Sequence, residues 1–279
     1  MNVEVQPAAV EIGSDRGPRP PHRPGRRRIL VAMMVIGCLA VVALIAAAGF
    51  LAALPGVGDA PGRVAAILRE HGGRPGDSPP PSKVASSIVA VEDQRFYAHH
   101  GVDLQSVIRV AWGWVISRGS RDQGGSTITQ QLAKRLYSGH RAGLLVELEQ
   151  VGLALKLEQR YSKPEILRMY LDAVYFGDGR WGVVQASEGY FGKPPQRLDW
   201  GEASLLAGLV QAPSAYDPRV HLAAAVRRQR HVLDRLVATR VLGPVEAAAA
   251  SRRFAVEAGR LGFVTSSSPT ATRTRVSVR

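Results

Sequence analysis

KVASSIVAVEDQRFYAHHG, residues 83–101, opens as a helix and closes as a polar turn. Val84, Ile88 and Val91 recur three and four residues apart, the spacing of one helix face and not the alternation of a strand. The run then stops at two carboxylates, Glu92 and Asp93, and continues through a polar, aromatic segment to Gly101. Working outward, helical spacing returns at Val107, Val110 and Trp114, at Ile166, Met169 and Ala173, and at Val232, Leu233 and Leu236. No segment alternates cleanly between hairpin turns, and no repeat period is evident, so the fold class is mostly α. Ser162 as a cap and Pro164 in the first turn predict a helix running to about Tyr175, ended by Gly177 and Gly179.

With 279 residues, 46% hydrophobic and 21% charged, the chain has room for one packed domain with appendages and is not a collagen-like or wholly disordered polymer. Lys plus Arg number 36 against 23 Asp plus Glu, a formal +13 that suits polyanionic partners: nucleic acid, anionic lipid or phosphorylated substrates. Charge does not choose among them. The single cysteine, Cys38, excludes an intramolecular disulfide and any multi-cysteine metal site.

Ile29 to Leu54 carry no charged side chain, and as a helix they would extend about 39 Å, more than the ~30 Å hydrocarbon core of a bilayer. Arg26, Arg27 and Arg28 stand just before this segment, with Arg16, Arg19 and Arg23 upstream, so the positive-inside rule keeps the N-terminus cytoplasmic and puts the chain beyond Leu54 outside. A cleaved signal peptide would have a shorter apolar region, roughly 7 to 15 residues. Val35-Ile36-Gly37-Cys38 looks like a lipoprotein cleavage box, but the apolar run continues well past Cys38, which reads as a small apolar residue of the membrane helix. The organisation expected is a disordered basic cytoplasmic tail over 1–28, a transmembrane helix over 29–54 and a Pro/Gly-rich stalk over 55–82 with a short helix at 63–70. A folded domain is expected over 83–262, then a Ser/Thr/Arg-rich tail over 263–279.

Two stretches could carry chemistry. Glu92-Asp93 lies at the C-terminal end of a helix, where the dipole disfavours negative charge; in a cleft Glu92 would suit a general base, and outside one the pair is a solvated helix end. His99, His100 and His140 have no zinc-ligand spacing and read more simply as core or surface histidines. The second stretch, GGSTITQQLAK over 124–134, puts Thr127, Gln130, Gln131 and Lys134 on one helical stripe and Ile128, Leu132 and Leu136 on another. Gly124 and Gly125 free the backbone before Ser126, where a helix N-terminus suits a phosphate or sugar hydroxyls. The spacing is not that of a P-loop.

Together these stretches resemble a known family. Glu92-Asp93-Gln94-Arg95-Phe96-Tyr97-Ala98-His99-His100-Gly101 is similar to the Glu-Asp-x-x-Phe-x-x-His-x-Gly signature of the peptidoglycan glycosyltransferases, glycosyltransferase family 51, and 124–134 is similar to that family's second motif. Arg160-Tyr161-Ser162-Lys163 through Tyr170-Leu171 to Tyr175-Phe176-Gly177, Tyr190-Phe191-Gly192-Lys193, and Gln211-Ala212-Pro213-Ser214 continue the series in order, over about residues 83–240.

The resemblance implies a lysozyme-like helical glycosyltransferase domain with head and jaw lobes, preceded by one transmembrane helix, in the bacterial cytoplasmic membrane. It implies polymerisation of lipid II, in which the 4-hydroxyl of the acceptor's N-acetylglucosamine attacks the anomeric carbon of the growing chain and undecaprenyl pyrophosphate leaves with inversion. Glu92 matches the family's general base, and Lys134 its donor-site lysine. Asp93, Phe96, His99, Ser126, Thr127, Gln130 and Gln131 match positions that shape or line the cleft, and Arg141 lies where a pyrophosphate-contacting arginine is expected.

In the third motif, normally Arg-Lys-x-x-Glu, counting back from Leu157-Glu158 places Val146, Glu147 and Gln150, whereas counting forward from Arg141 places Glu149 at the glutamate. Glu149 is the candidate second carboxylate, with Glu147 behind it. Arg135 and Asp172 stand where asparagine is usual.

No metal site and no obligatory cofactor are implied, though a divalent cation, Mg2+ or Mn2+, is compatible. The partners implied are lipid II, the growing glycan strand, membrane lipids and proteins of cell-wall synthesis or division, and not nucleic acid. No Ser-x-x-Lys followed by a Lys-Thr-Gly type motif lies downstream, so a monofunctional enzyme is expected. Two other readings stay open: a lysozyme-like lytic enzyme, which needs an acid but no cationic pyrophosphate site, and an impaired lipid II-binding scaffold, for which the altered third motif speaks.

Overall fold

The structure, a computed structural model, describes residues 26–105, 125–139 and 141–263. Most of the two tails, the spacing at Val107, Val110 and Trp114, and the residues Gly124 and His140 lie outside the described residues. The chain divides into two compact units, 1–52 and 53–279.

The first unit contains all but the last residue of helix α1, Arg26–Ala53. Its stretch Met33–Ala53 is long and apolar enough to cross a bilayer. Leu39, Leu44, Ile45 and Val42 are all exposed, so apolar side chains point outward on several faces, as in a helix whose solvent is lipid and unlike the one-sided stripe of a surface helix.

The second unit is helical, and among its described residues the only β-pairing is an isolated bridge between Tyr175 and Trp181. Its helices are α2 (Ala60–Glu70), α3 (Ser82–Glu92), α4 (Ile128–Ala133), α5 (Leu144–Arg160), α6 (Lys163–Ala173), α7 (Val183–Phe191), α8 (Trp200–Leu209), α9 (Leu222–Ala238) and α10 (Pro244–Arg260). The mostly-α reading therefore holds.

Helix α8 explains the arrangement. Its sequence WGEASLLAGL is apolar or small at every position but Glu202, and Gly201 through Leu209 are all buried, with α3, α9 and α10 packed around it. Its start is fixed by a capping box: Asp199 Oδ1 accepts the Glu202 N–H at 3.0 Å and Glu202 Oε2 accepts the Asp199 N–H at 2.8 Å. A second group, α4, α5 and α6, packs through Leu132, Leu153, Leu157 and Ile166.

Residues 55–82 do not form a stalk. Val57, Ala60, Val64 and Leu68 recur at helical spacing and are buried in the core, so α2 is an integral helix, starting three residues before the expected one. Tyr161 Oη donates to the Val57 carbonyl (3.0 Å), Tyr137 Oη to Asp59 (2.8 Å), and Lys156 Nζ to the Leu54 carbonyl (2.6 Å). The frequent glycines and prolines hid an amphipathic pattern. Helix α6 starts after Ser162 as expected, but it ends at Ala173, because the Val174 carbonyl accepts from Gly182 N–H across the turn that holds the Tyr175–Trp181 bridge.

Candidate active site

Glu92 is the last residue of α3, and the turn after it is locked to α4. The buried Asp93 carboxylate accepts the Ile128 N–H at the start of α4 (3.0 Å) and faces His99 Nε2 at 2.9 Å. His99 Nδ1 accepts the Gly101 N–H (3.2 Å), so the ring proton sits on Nε2 and is donated to Asp93. Thr127 closes the circuit: its hydroxyl donates to the Gly101 carbonyl (2.7 Å) and accepts the Gln130 N–H (3.1 Å), while Gln130 Oε1 accepts the Thr127 N–H (2.8 Å). Gly101 sits at φ +93°, and a Cβ there would lie 3.0 Å from the Ala154 backbone, so only glycine fits both the turn and its approach to α5.

This frame presents Glu92, whose side chain is 13% exposed, to a cleft. Gln131 Nε2 donates to Glu92 Oε2 at 2.8 Å, and Gln131 Oε1 accepts from Tyr170 Oη at 2.9 Å. Tyr170 is fully buried; burial pushes its hydroxyl above the ordinary tyrosine value, so it remains a donor and fixes which end of the Gln131 amide meets Glu92. On the other side, Arg228 Nη2 of α9 stands 3.8 Å from Glu92 Oε1. One carboxylate is thus held from two elements, α4 and α9.

The cleft has a volume of about 880 Å3. Arg95, Lys134, Arg135, Arg141, Arg228 and Arg235 contribute cations to its walls, against the acids Glu92, Asp93, Asp103 and Glu147. Lys134 opens a widened π-type turn, Lys134–Ser138, in which Gly139 N–H reaches back to the Lys134 carbonyl (3.2 Å), an irregularity frequent at functional sites. Among the described residues no three His, Cys, Asp or Glu side chains group as metal ligands. A fixed carboxylate beside a polar, net cationic cleft can accept a proton from a hydroxyl and hold a polyanion.

Residues 76–237, more than half of the chain, match the family model described as transglycosylase. The chain belongs to the transglycosylase family. Over 141 residues it is 43% identical to penicillin-binding protein 1F of Bacillus subtilis, covering 50% of this chain and 20% of that protein. It is 40% identical over 162 residues to penicillin-binding protein 1A of Neisseria gonorrhoeae (58% and 20% covered) and over 157 residues to that of Escherichia coli (56% and 18%). The chain thus spans about a fifth of the length of these curated relatives. The family resemblance carried by the motifs is borne out.

Within the transglycosylase domain, Glu92, Asp93, Ser126, Thr127, Gln130, Gln131, Lys134 and Arg141 line the cleft, although Thr127 and Gln130 also spend their polar atoms on the cap of α4. Phe96 and His99 do not line it. Phe96 is wholly buried with the Lys163 ammonium 4.3 Å from its ring centre, and His99 is buried behind Asp93, so both hold the turn that presents Glu92.

Glu149, the candidate second carboxylate, is not among the residues that line the cleft. Helix α5 runs unbroken from Leu144 to Arg160, so only one register is available. Its cleft-lining residues are Val146, Glu147, Gln150 and Val151, one face at helical spacing. Glu149 falls on another face and pairs with Arg141 at 2.9 Å.

Sequence reasoning missed Arg228 and the orienting role of Tyr170. Tyr170 was visible only as a motif letter, and Arg228 sits in a run of basic residues on an amphipathic helix, where a cleft-facing arginine looks like a solvated one.

Proposed function

We propose that this transglycosylase domain polymerises lipid II into glycan strands, with Glu92 as the general base, on a protein anchored by α1 with its N-terminus in the cytoplasm. The observation that carries the reading is the Glu92 carboxylate held by Gln131 and Arg228 at the wall of a net cationic cleft. The acceptor's 4-hydroxyl oxygen forms a bond to the donor's anomeric carbon on the face opposite the leaving group. Its proton passes to Glu92, and the bond from that carbon to phosphate oxygen breaks, its electron pair leaving with the pyrophosphate. A sugar hydroxyl is a weak nucleophile, so a positioned base is worth about 10²–10⁴ in rate. Lys134 and Arg141 meet the charge that develops on the leaving group. Glu147 and Gln150, and not Glu149, are the α5 side chains on the cleft that can approach the reacting groups.

Three features support the membrane setting: the apolar α1, Arg27 at its start, and the excess basic charge of the chain, which suits an anionic surface. The test is incubation of the detergent-solubilised full chain with purified lipid II and, separately, with isolated sacculi. Polymer from lipid II is expected. Soluble fragments from sacculi without polymer would establish the lytic reading, and lipid II binding without turnover would establish a scaffold.

A further inference from the structure

Beside the main cleft lies a second cavity of about 340 Å3, lined by Gln211, Tyr216, Ala224, Arg227, Arg228 and His231. It shares Gln211, Arg228 and His231 with the main cleft, so the two have a common wall. Ala224, Arg227, Arg228 and His231 succeed one another at i, i+3, i+4 and i+7, a single stripe of α9. The facing wall is the turn after α8, tied by the Ala212 carbonyl, which accepts from both Ala215 N–H (3.0 Å) and Tyr216 N–H (3.1 Å). Arg228 also stands 5.9 Å from the centre of the Tyr216 ring.

Every polar side chain lining this cavity can donate a hydrogen bond: two guanidinium groups, an imidazole, a phenol and an amide. No carboxylate is among the described residues that line it. Such a donor set selects an acid, and planar guanidinium forks suit carboxylate and phosphate oxygens alike. The volume exceeds that of a bare ion, so the acid would be borne on a larger molecule. Arg227 has no task in the chemistry at Glu92, since it lines only the side cavity.

We propose that this cavity is a second anion subsite, which takes a carboxylate or phosphate carried by the substrate that occupies the main cleft. The proposal rests on the reading of that cleft as a site for an anionic glycan precursor.

Two experiments test it, the first independent of turnover. The detergent-solubilised full chain, labelled at histidine, is titrated with inorganic phosphate and, separately, with acetate; the His231 ring signal is identified by its loss in His231→Gln. A saturable shift is expected in the parent and in Lys134→Gln, and binding about tenfold weaker in Arg227→Gln, which removes one charge-assisted pair. An unsaturable shift, or one unchanged by Arg227→Gln, overturns the proposal. The second compares polymerisation of lipid II carrying free or amidated stem-peptide carboxylates. A KM raised several-fold in Arg227→Gln for the free acid alone assigns a carboxylate to the pocket, and an equal rise with both substrates assigns a phosphate. An unchanged KM with both overturns the subsite. A parent that makes no polymer would refute the proposed activity instead, and the histidine titration would then decide the pocket by itself.

Discussion

Asp172 stands where the family resemblance leads one to expect asparagine, and its surroundings explain how a carboxylate is tolerated. It is buried, its Oδ1 accepts the Gly76 N–H (2.9 Å), and Arg168 lies 3.3 Å from its Oδ2. Burial is the larger influence and raises its carboxyl above the ordinary value, against the pull of the Gly76 amide and Arg168. A folded-state pKa raised above the unfolded one gives stability that is present below the unfolded value and lost as pH rises through the folded value. Asp172→Asn keeps an oxygen for Gly76 and carries no charge. It should melt above the parent at about pH 8, with the difference shrinking as pH falls toward about 4 and the Asp172 carboxyl takes up its proton. Melting curves that run parallel across this range would contradict that account.

On α5 the comparison is between two glutamates two residues apart. Glu149→Gln is expected to leave polymerisation within about threefold of the parent, because Glu149 does not itself line the cleft and its pair with Arg141 is partly exposed, whereas Glu147→Gln should lower it about tenfold or more. The reverse order would restore Glu149 to the site. Residue types at Glu92, Gln131 and Lys134 were legible because a motif fixes their spacing. The face presented by each α5 residue was not, because two anchors gave two registers and only the unbroken helix decides between them.

Among the elements, α4 shows how a six-residue helix becomes part of a catalytic frame. Alone it is too short to be stable, and tertiary contacts hold it: the Thr127–Gln130 cap, the Asp93 carboxylate at its first N–H, and Thr129 Oγ1 donating to the Glu158 carboxylate at 2.5 Å. Thr127→Ala removes a cap and a buried bond to the Gly101 carbonyl together, which should cost about 1–2 kcal/mol by denaturant titration. Thr127→Ser, which keeps the hydroxyl, should recover most of that. Equal stability of Thr127→Ala and the parent would mean the cap does not hold the turn. Helix existence and type were legible here from the polar and apolar stripes. The junction with the 93–101 turn was not, because nothing local to either segment shows that Asp93 and Ile128 meet across 35 residues.

At the scale of the whole molecule, the second unit begins before the motifs do. Leu68, buried at 2% exposure, belongs to the core, so Leu68→Ala should destabilise the solubilised chain by about 2–4 kcal/mol, where a residue on a stalk would cost close to nothing. Thermal or urea unfolding separates the two. The buried core lies in the second unit, and Met33–Ala53 is long and apolar enough to cross a bilayer. The cleft drew on more of the chain than the motifs marked: α9 supplies Arg228 against Glu92, some 136 residues away in sequence, and long-range pairing of that kind leaves no periodic trace.

The role of Glu92 is tested most directly by the initial rate of lipid II polymerisation by Glu92→Gln beside the parent, with matched unfolding profiles to show that both are folded. Glutamine can still accept from Gln131 but cannot take the proton, so a loss of about 10²-fold or more is expected, with lipid II binding retained. A variant that keeps more than about a tenth of the parent's rate would contradict Glu92 as the base.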